Sequence, residues 1–99
     1  MVLRARLLVS GSVQGVNFRW FVQEAAKEIG IRGWVKNLQD GDVEIECESE
    51  SEAAYRRFIN AIEGGGGGKG LHAISVKGIK VLKIEKGTEP KYDYFNIEY

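Results

Sequence analysis

The order in which the hydrophobic period changes along the chain constrains the fold most strongly. From Val2 to Val9 the residues alternate: Leu3, Ala5, Leu7 and Val9 share one face, Arg4 and Arg6 the other. That is the pattern of a half-buried strand. From Phe18 the period lengthens. Phe18, Phe21, Val22, Ala25, Ala26 and Ile29 fall at helical spacing, and Gly30 stands where such a helix would stop. "IRGWVKN" reads as a second strand, "LQDG" as a turn, and "VEIECES" alternates again. In that third strand Val43, Ile45 and Cys47 point one way and Glu44, Glu46 and Glu48 the other. Ser49, with Glu52 three residues on, forms a capping-box pattern that opens a second helix through Ala54, Tyr55, Phe58, Ile59 and Ile62. "EGGGGGKGLH" ends it. Two extended stretches, from Ile74 to Glu85 and from Tyr92 to Tyr99, close the chain around "KGTEP".

Strand, helix, strand, strand, helix, strand, strand is the order of a split βαβ sandwich. The expected fold is therefore α+β and ferredoxin-like, with two helices on one face of a mostly antiparallel four- to five-stranded sheet. Each strand has a single apolar face, so the sheet side away from the helices is expected to be wet and to carry the glutamate row. A solvated face explains that row more simply than a metal site does. The chain has 99 residues, which suits one domain over 1–99 and one modest core. With 14 basic and 14 acidic residues its net charge is zero, which argues against broad electrostatic binding to nucleic acid or to an anionic membrane. One cysteine cannot form an internal disulfide. The opening "MVLRARLLVS" carries arginines within its apolar run, unlike a signal peptide, and no stretch approaches membrane-spanning length. A cytoplasmic monomer is expected.

The stretch "GSVQGVNFRW", Gly11 to Trp20, joins the first strand to the first helix. Backbone N–H groups at a helix start have no acceptor inside the helix, and the helix dipole favours negative charge there. A curled, glycine-bearing loop can aim further N–H groups at the same point. Arg19, in the first turn, carries a fork of donors suited to phosphate or carboxylate. The same residues would also make a plain turn beside a surface arginine, and the local stretch does not separate the two readings.

The wider pattern does. "GSVQGVNFR" followed by "GIRGWVKNLQDGDVEIE" closely resembles the acylphosphatase family: Gly11, Val13, Gln14, Gly15, Val16, Phe18 and Arg19, then Ala26, Gly30, Gly33, Trp34, Val35, Asn37, Asp40, Gly41, Val43 and Glu44. The closing "FNIEY" is similar to the family's last strand. The resemblance implies a ferredoxin-like enzyme that hydrolyses the carboxyl-phosphate bond of small acyl phosphates with no metal, cofactor or covalent intermediate. It assigns the substrate phosphate to Arg19 and to the loop residues Val13, Gln14, Gly15, Val16, Asn17 and Phe18, and the attacking water to Asn37. Acylphosphatase-like domains also occur inside larger proteins such as hydrogenase-maturation carbamoyltransferases. The alternative expectation is therefore a phosphate- or carboxylate-binding module with little or no hydrolysis. A ferredoxin-like RNA-binding or regulatory module fits poorly, since the charge is neutral and no strand carries the RNA-binding aromatic motif.

Asn17, Val22 and the glycine run depart from the family pattern, and His72 and Cys47 lie outside it. Asn17 replaces the usual glycine and could cap the helix, line the pocket or shift the loop. Val22 stands where many members have threonine. His72 follows the glycine run with no motif around it, and Cys47 lies on an inward face, so neither is expected to be catalytic. The run Gly64 to Gly68 lengthens a normally short connection. It is not a phosphate-binding P-loop, because Glu63 and Gly70 occupy positions that need glycine and a hydroxyl residue. That connection is expected at the end of the sheet opposite the first strand-to-helix loop.

Overall fold

The computed structural model describes residues 1–14, 17–64 and 75–99. Its elements are β1 (Val2–Ser12), α1 (Phe18–Ile29), β2 (Arg32–Asn37), β3 (Val43–Ser49), α2 (Glu52–Glu63), β4 (Ser75–Thr88) and β5 (Phe95–Glu98). The sheet order is β4-β1-β3-β2-β5. Every neighbouring pair is antiparallel except β2 and β5, which run parallel. This is the ferredoxin-like α+β fold with a fifth strand added at the β2 edge. Both β1 and β4 extend beyond their expected ends.

Alternation places the core. Ala5, Leu7 and Val9 of β1, Val35 of β2, and Val43, Ile45 and Cys47 of β3 are buried under the helices. Phe18, Phe21, Val22, Ala25 and Ala26 cover them from α1, and Phe58 and Ile62 from α2. Each large side chain so buried contributes roughly 1.5–3 kcal/mol. Val22 is fully buried, which accounts for an apolar residue at that position. Gly30 ends α1 in the left-handed conformation, its N–H bonded to the Ala26 carbonyl. Burial raises the Cys47 thiol to about 12, so it packs as an apolar group and is no nucleophile at neutral pH.

Gly33 is demanded by backbone approach rather than by a turn. Its φ is 136°, and a Cβ there would overlap the Glu46 carbonyl oxygen on β3. Gly33→Ala is expected to destabilise the protein by at least about 2 kcal/mol, read as a fall in the urea midpoint at unchanged m.

Three expectations need correction. The cap of α2 is Ser51, not Ser49: the Ser51 side chain accepts from the Ala54 N–H at 3.1 Å. Ser49 instead donates to the Ser51 carbonyl in the preceding turn, because β3 runs on through Ser49 and delays the helix by two residues. Second, the connection between α2 and β4 does not arrive at the far end of the sheet. Ser75 pairs with Ser12, since β4 is antiparallel to β1 and must start where β1 stops, beside the loop that leads to α1. The segment 65–74, with His72 and most of the glycine run, lies outside the described residues.

Third, the glutamate row is not a wet face. Glu46 and Glu48 are buried, Glu48 completely. Two arginines on β1 and the segment that leads into β5 cover them. Arg4 donates to Glu48 Oε2 from Nε at 2.9 Å and from Nη2 at 2.7 Å, and the Lys91 and Tyr92 N–H groups complete that carboxylate's shell. Arg6 donates from Nε and Nη2 to Glu46 Oε1 at 2.9 and 2.6 Å. The Tyr92 hydroxyl bonds to Glu46 Oε2 and accepts from Trp34 Nε1. Buried carboxylates persist only when so fully partnered.

This network makes stability depend on pH. Burial alone would raise the Glu46 carboxyl, but the hydrogen bonds from Tyr92 and Arg6 and the charges of Arg6 and Lys91 outweigh it, leaving it below the usual carboxylate value. A depressed carboxylate contributes stability that is full above its unfolded pKa and disappears as pH falls through its folded one. Urea midpoints are therefore expected to fall below about pH 4.3 more steeply in the wild type than in Glu46→Gln, which cannot titrate there. Parallel curves would remove Glu46 from this role.

The outer strand β4 leaves Val81, Leu82 and Ile84 nearly half exposed. Lys77, Lys80, Lys83 and Lys86 are interspersed with them, as on edge strands that resist pairing with another chain.

Candidate active site

β1 delivers Val13 and Gln14 to the head of α1. Val13 is buried, and its neighbour is tethered: Gln14 Nε2 donates to the carbonyls of Leu38 and Asp42, each at 2.7 Å. Those carbonyls belong to the β2–β3 turn, closed by Leu38 N–H to Asp42 O at 2.9 Å. The first-helix loop and the end of β2 are thus joined through one amide, and Asn37 is the last residue of β2. The Gln14 side chain binds protein carbonyls, so any contact it gives an anion must come from its backbone. Gly15 and Val16 lie outside the described residues.

Asn17 precedes the helix with φ 60° and ψ 25°, and its side chain makes no capping hydrogen bond. Asparagine is among the few residues that tolerate this left-handed conformation, which explains how it stands in a glycine position. The first intrahelical bond runs from Phe21 N–H to Asn17 O at 3.0 Å. Helix geometry leaves the N–H groups of Phe18, Arg19 and Trp20 without intrahelical acceptors, at the positive end of the α1 dipole.

Arg19 is half-buried and held from the end of the chain. Its Nη1 donates to the Glu98 carbonyl at 3.0 Å, and its guanidinium lies 4.7 Å from the centre of the Tyr99 ring. Gln23, one turn on, donates to Phe95 O at 3.0 Å, so β5 fixes α1 at two points. A guanidinium has five N–H donors, so one bond to Glu98 leaves a fork for a ligand.

Arg19 and Asn37 border the same hollow, about 290 Å³ in volume, together with Val13, Asn17 and Phe18 from the loop and helix start. Trp20, Ile97 and Tyr99 form the rest of its described wall. Asn37 Oδ1 is buried and has no hydrogen-bond partner among the described residues. Buried oxygens are almost always satisfied, and the exceptions gather where a ligand or water belongs. Larger hollows lie between α2 and β4, about 430 Å³, and beside Arg4 and Arg6 on the far face, about 510 Å³. Neither brings the candidate residues together, and in the second the carboxylates already hold cationic partners. The residues that sequence reasoning missed are Trp20, Ile97, Glu98 and Tyr99. "FNIEY" marked a strand but did not say that it would lie parallel to β2.

Fold and site define a ferredoxin-like α+β protein in which the start of the first helix, Arg19 and Asn37 border one hollow. The acylphosphatase family model matches residues 5–97. An acylphosphatase of Thermotoga maritima is 39% identical over 94 residues, covering 95% of this chain and 94% of the relative. One of Archaeoglobus fulgidus is 37% identical, over 99% and 100%. The crystal structure of acylphosphatase from Bacillus subtilis superposes with a TM-score of 0.84 at 37% identity, covering 98% of this chain and 99% of that one. The chain belongs to the acylphosphatase family.

Proposed function

We propose that this protein hydrolyses the carboxyl-phosphate bond of small acyl phosphates, giving a carboxylate and inorganic phosphate, by metal-free in-line attack of water. The reading rests on one observation above the others: Arg19 and Asn37 border one hollow together with the first residues of α1, and the Asn37 side-chain oxygen is buried without a partner among the described residues.

An acyl phosphate is already activated, because its leaving group is a weakly basic carboxylate. The enzyme has to hold the phosphoryl group, stabilise its charge and place a water opposite the leaving oxygen. In this reading the N–H groups of the Val13–Phe18 loop and the free fork of Arg19 take the three phosphoryl oxygens. The Glu98 carbonyl and the Tyr99 ring keep the guanidinium aimed, which limits its reorganisation. Asn37 Oδ1 accepts a hydrogen bond from the attacking water and turns its lone pair toward phosphorus. Water oxygen bonds to phosphorus as the bond to the carboxylate oxygen breaks, and the water proton leaves with inorganic phosphate or solvent.

Phosphate release from acetyl phosphate or benzoyl phosphate in excess chelator tests this directly. Undiminished turnover is expected. A requirement for a divalent metal would overturn the mechanism. Firm phosphate binding with no turnover would leave a binding module instead. The same proposal takes the protein to be a cytoplasmic monomer. No helix among the described residues is long and apolar enough to cross a membrane, and a sedimentation experiment that finds a larger species would refute the monomer.

A further inference from the structure

We propose that Glu48, on the sheet face opposite the helices, is a positioning residue for the reaction: it fixes the path of the chain into β5, and β5 in turn sets the aim of Arg19. This role rests on the acyl phosphate reading above and adds to it a residue that does not border the hollow.

β5 has only four residues, lies at the edge of the sheet and pairs with β2 alone, in parallel. So short a strand makes too few bonds to fix its own course. Yet it carries the contacts that hold Arg19. The Glu98 carbonyl accepts from Nη1, and the Tyr99 ring, which lies against the guanidinium, follows directly. Ile97 and Tyr99 also border the hollow. Whatever fixes where β5 starts therefore bears on where the guanidinium comes to rest.

That start is fixed from the other face of the sheet. Glu48 belongs to β3, a central strand paired on both sides, with β1 and β2. Its carboxylate is completely buried and receives the N–H groups of two successive residues, Lys91 at 2.8 Å and Tyr92 at 3.1 Å. Arg4 holds the carboxylate in place and reaches the same segment, donating from Nη2 to the Glu89 carbonyl at 2.6 Å. Two residues beyond Tyr92, the Tyr94 carbonyl accepts from the Gly33 N–H at 2.8 Å, and Phe95 begins the strand.

Stability alone gives little reason for this arrangement, because apolar side chains of similar volume often serve a fold as well as a buried ion pair does. What the carboxylate supplies, and an apolar side chain cannot, is a set of directed acceptors for the N–H groups of a passing segment. A guanidinium that must meet a phosphoryl group needs such definition, since a displacement of about 1 Å can cost about a hundredfold in rate.

Kinetics on benzoyl phosphate test the role, with urea melts on the same samples. Two replacements are compared. Glu48→Gln keeps the shape but turns one acceptor into a donor. Arg4→Met combined with Glu48→Leu exchanges the pair for apolar groups of similar volume, a change that buried pairs commonly tolerate. Each is expected to lower kcat by about tenfold or more, with KM raised by less than kcat falls. In an Arg19→Ala background the same changes are expected to alter kcat by less than about twofold, because no guanidinium is left to aim. A residue that served the fold alone would lower both backgrounds alike. Equal losses in the two backgrounds, a kcat within about twofold of wild type in either folded Glu48 variant, or failure of both replacements to fold would overturn the proposal and leave the hydrolase reading intact. Wild-type protein that releases no phosphate from benzoyl phosphate would sink the hydrolase reading and this role with it.

Discussion

Arg19→Ala is expected to lower kcat for benzoyl phosphate by about a thousandfold or more while the protein stays folded, its thermal midpoint lowered by about 5–10 °C. An arginine on a transferring phosphoryl group carries factors of about 10³–10⁵. Here it is the only charged side chain among the described residues at the hollow, so none of those residues stands ready to replace it. Its structural contacts are slight by comparison. One bond to the Glu98 carbonyl and the stacking on an exposed Tyr99 ring together account for about 1–2 kcal/mol. A thousandfold loss of activity in a protein that remains folded separates a catalytic arginine from a surface one. Arg19→Lys sharpens the test. It keeps the charge but loses the planar fork and the stacking geometry, so partial activity well below wild type is expected. A kcat for Arg19→Ala within tenfold of wild type would remove Arg19 from the mechanism.

What could be read from the sequence followed from local pattern. α1 was legible to both ends because its apolar face has one unbroken helical period and Gly30 stops it. β3 was legible because an Asp-Gly turn precedes strict alternation. Alternation says which residues share a face but not whether that face stays open. Glu46 and Glu48 were therefore expected in water, and they are buried because residues 89–92 fold across them from more than 40 positions away. Ser49 and Ser51 both offer a hydroxyl near the start of α2, and only the end of β3 pairing decides between them. The place where β4 begins follows from strand direction: a strand antiparallel to β1 must start beside Ser12. The candidate site was legible in part for the same reason. Arg19 stands out by type in the first turn of α1, whereas Asn37 was marked only by the resemblance to the acylphosphatase family. Tyr99 and Glu98 did not stand out, because their role depends on β5 adding to β2 in parallel, a pairing with no local signal.

Asn37→Ala is expected to separate function from stability in the opposite sense to most buried substitutions. Turnover should fall by about a hundredfold or more, the range seen when one preorganised polar group is removed from a transition state. Stability should hold or rise slightly. The Asn37 oxygen is buried without a partner among the described residues, and a buried unsatisfied oxygen costs roughly 1–3 kcal/mol, which alanine would relieve. The lost side-chain packing offsets part of that gain. A natural chain keeps such an oxygen when something other than the fold requires it, as active sites commonly trade stability for function. Asn37→Asp provides a control of nearly the same shape. It keeps an acceptor for water but places negative charge opposite the phosphoryl group, so its turnover is expected to lie well below wild type and to recover as acid neutralises the carboxylate. Steady-state kinetics with urea melts on the same samples decide the matter. If Asn37→Ala loses stability and activity together, the oxygen has a structural partner and the water has another guide.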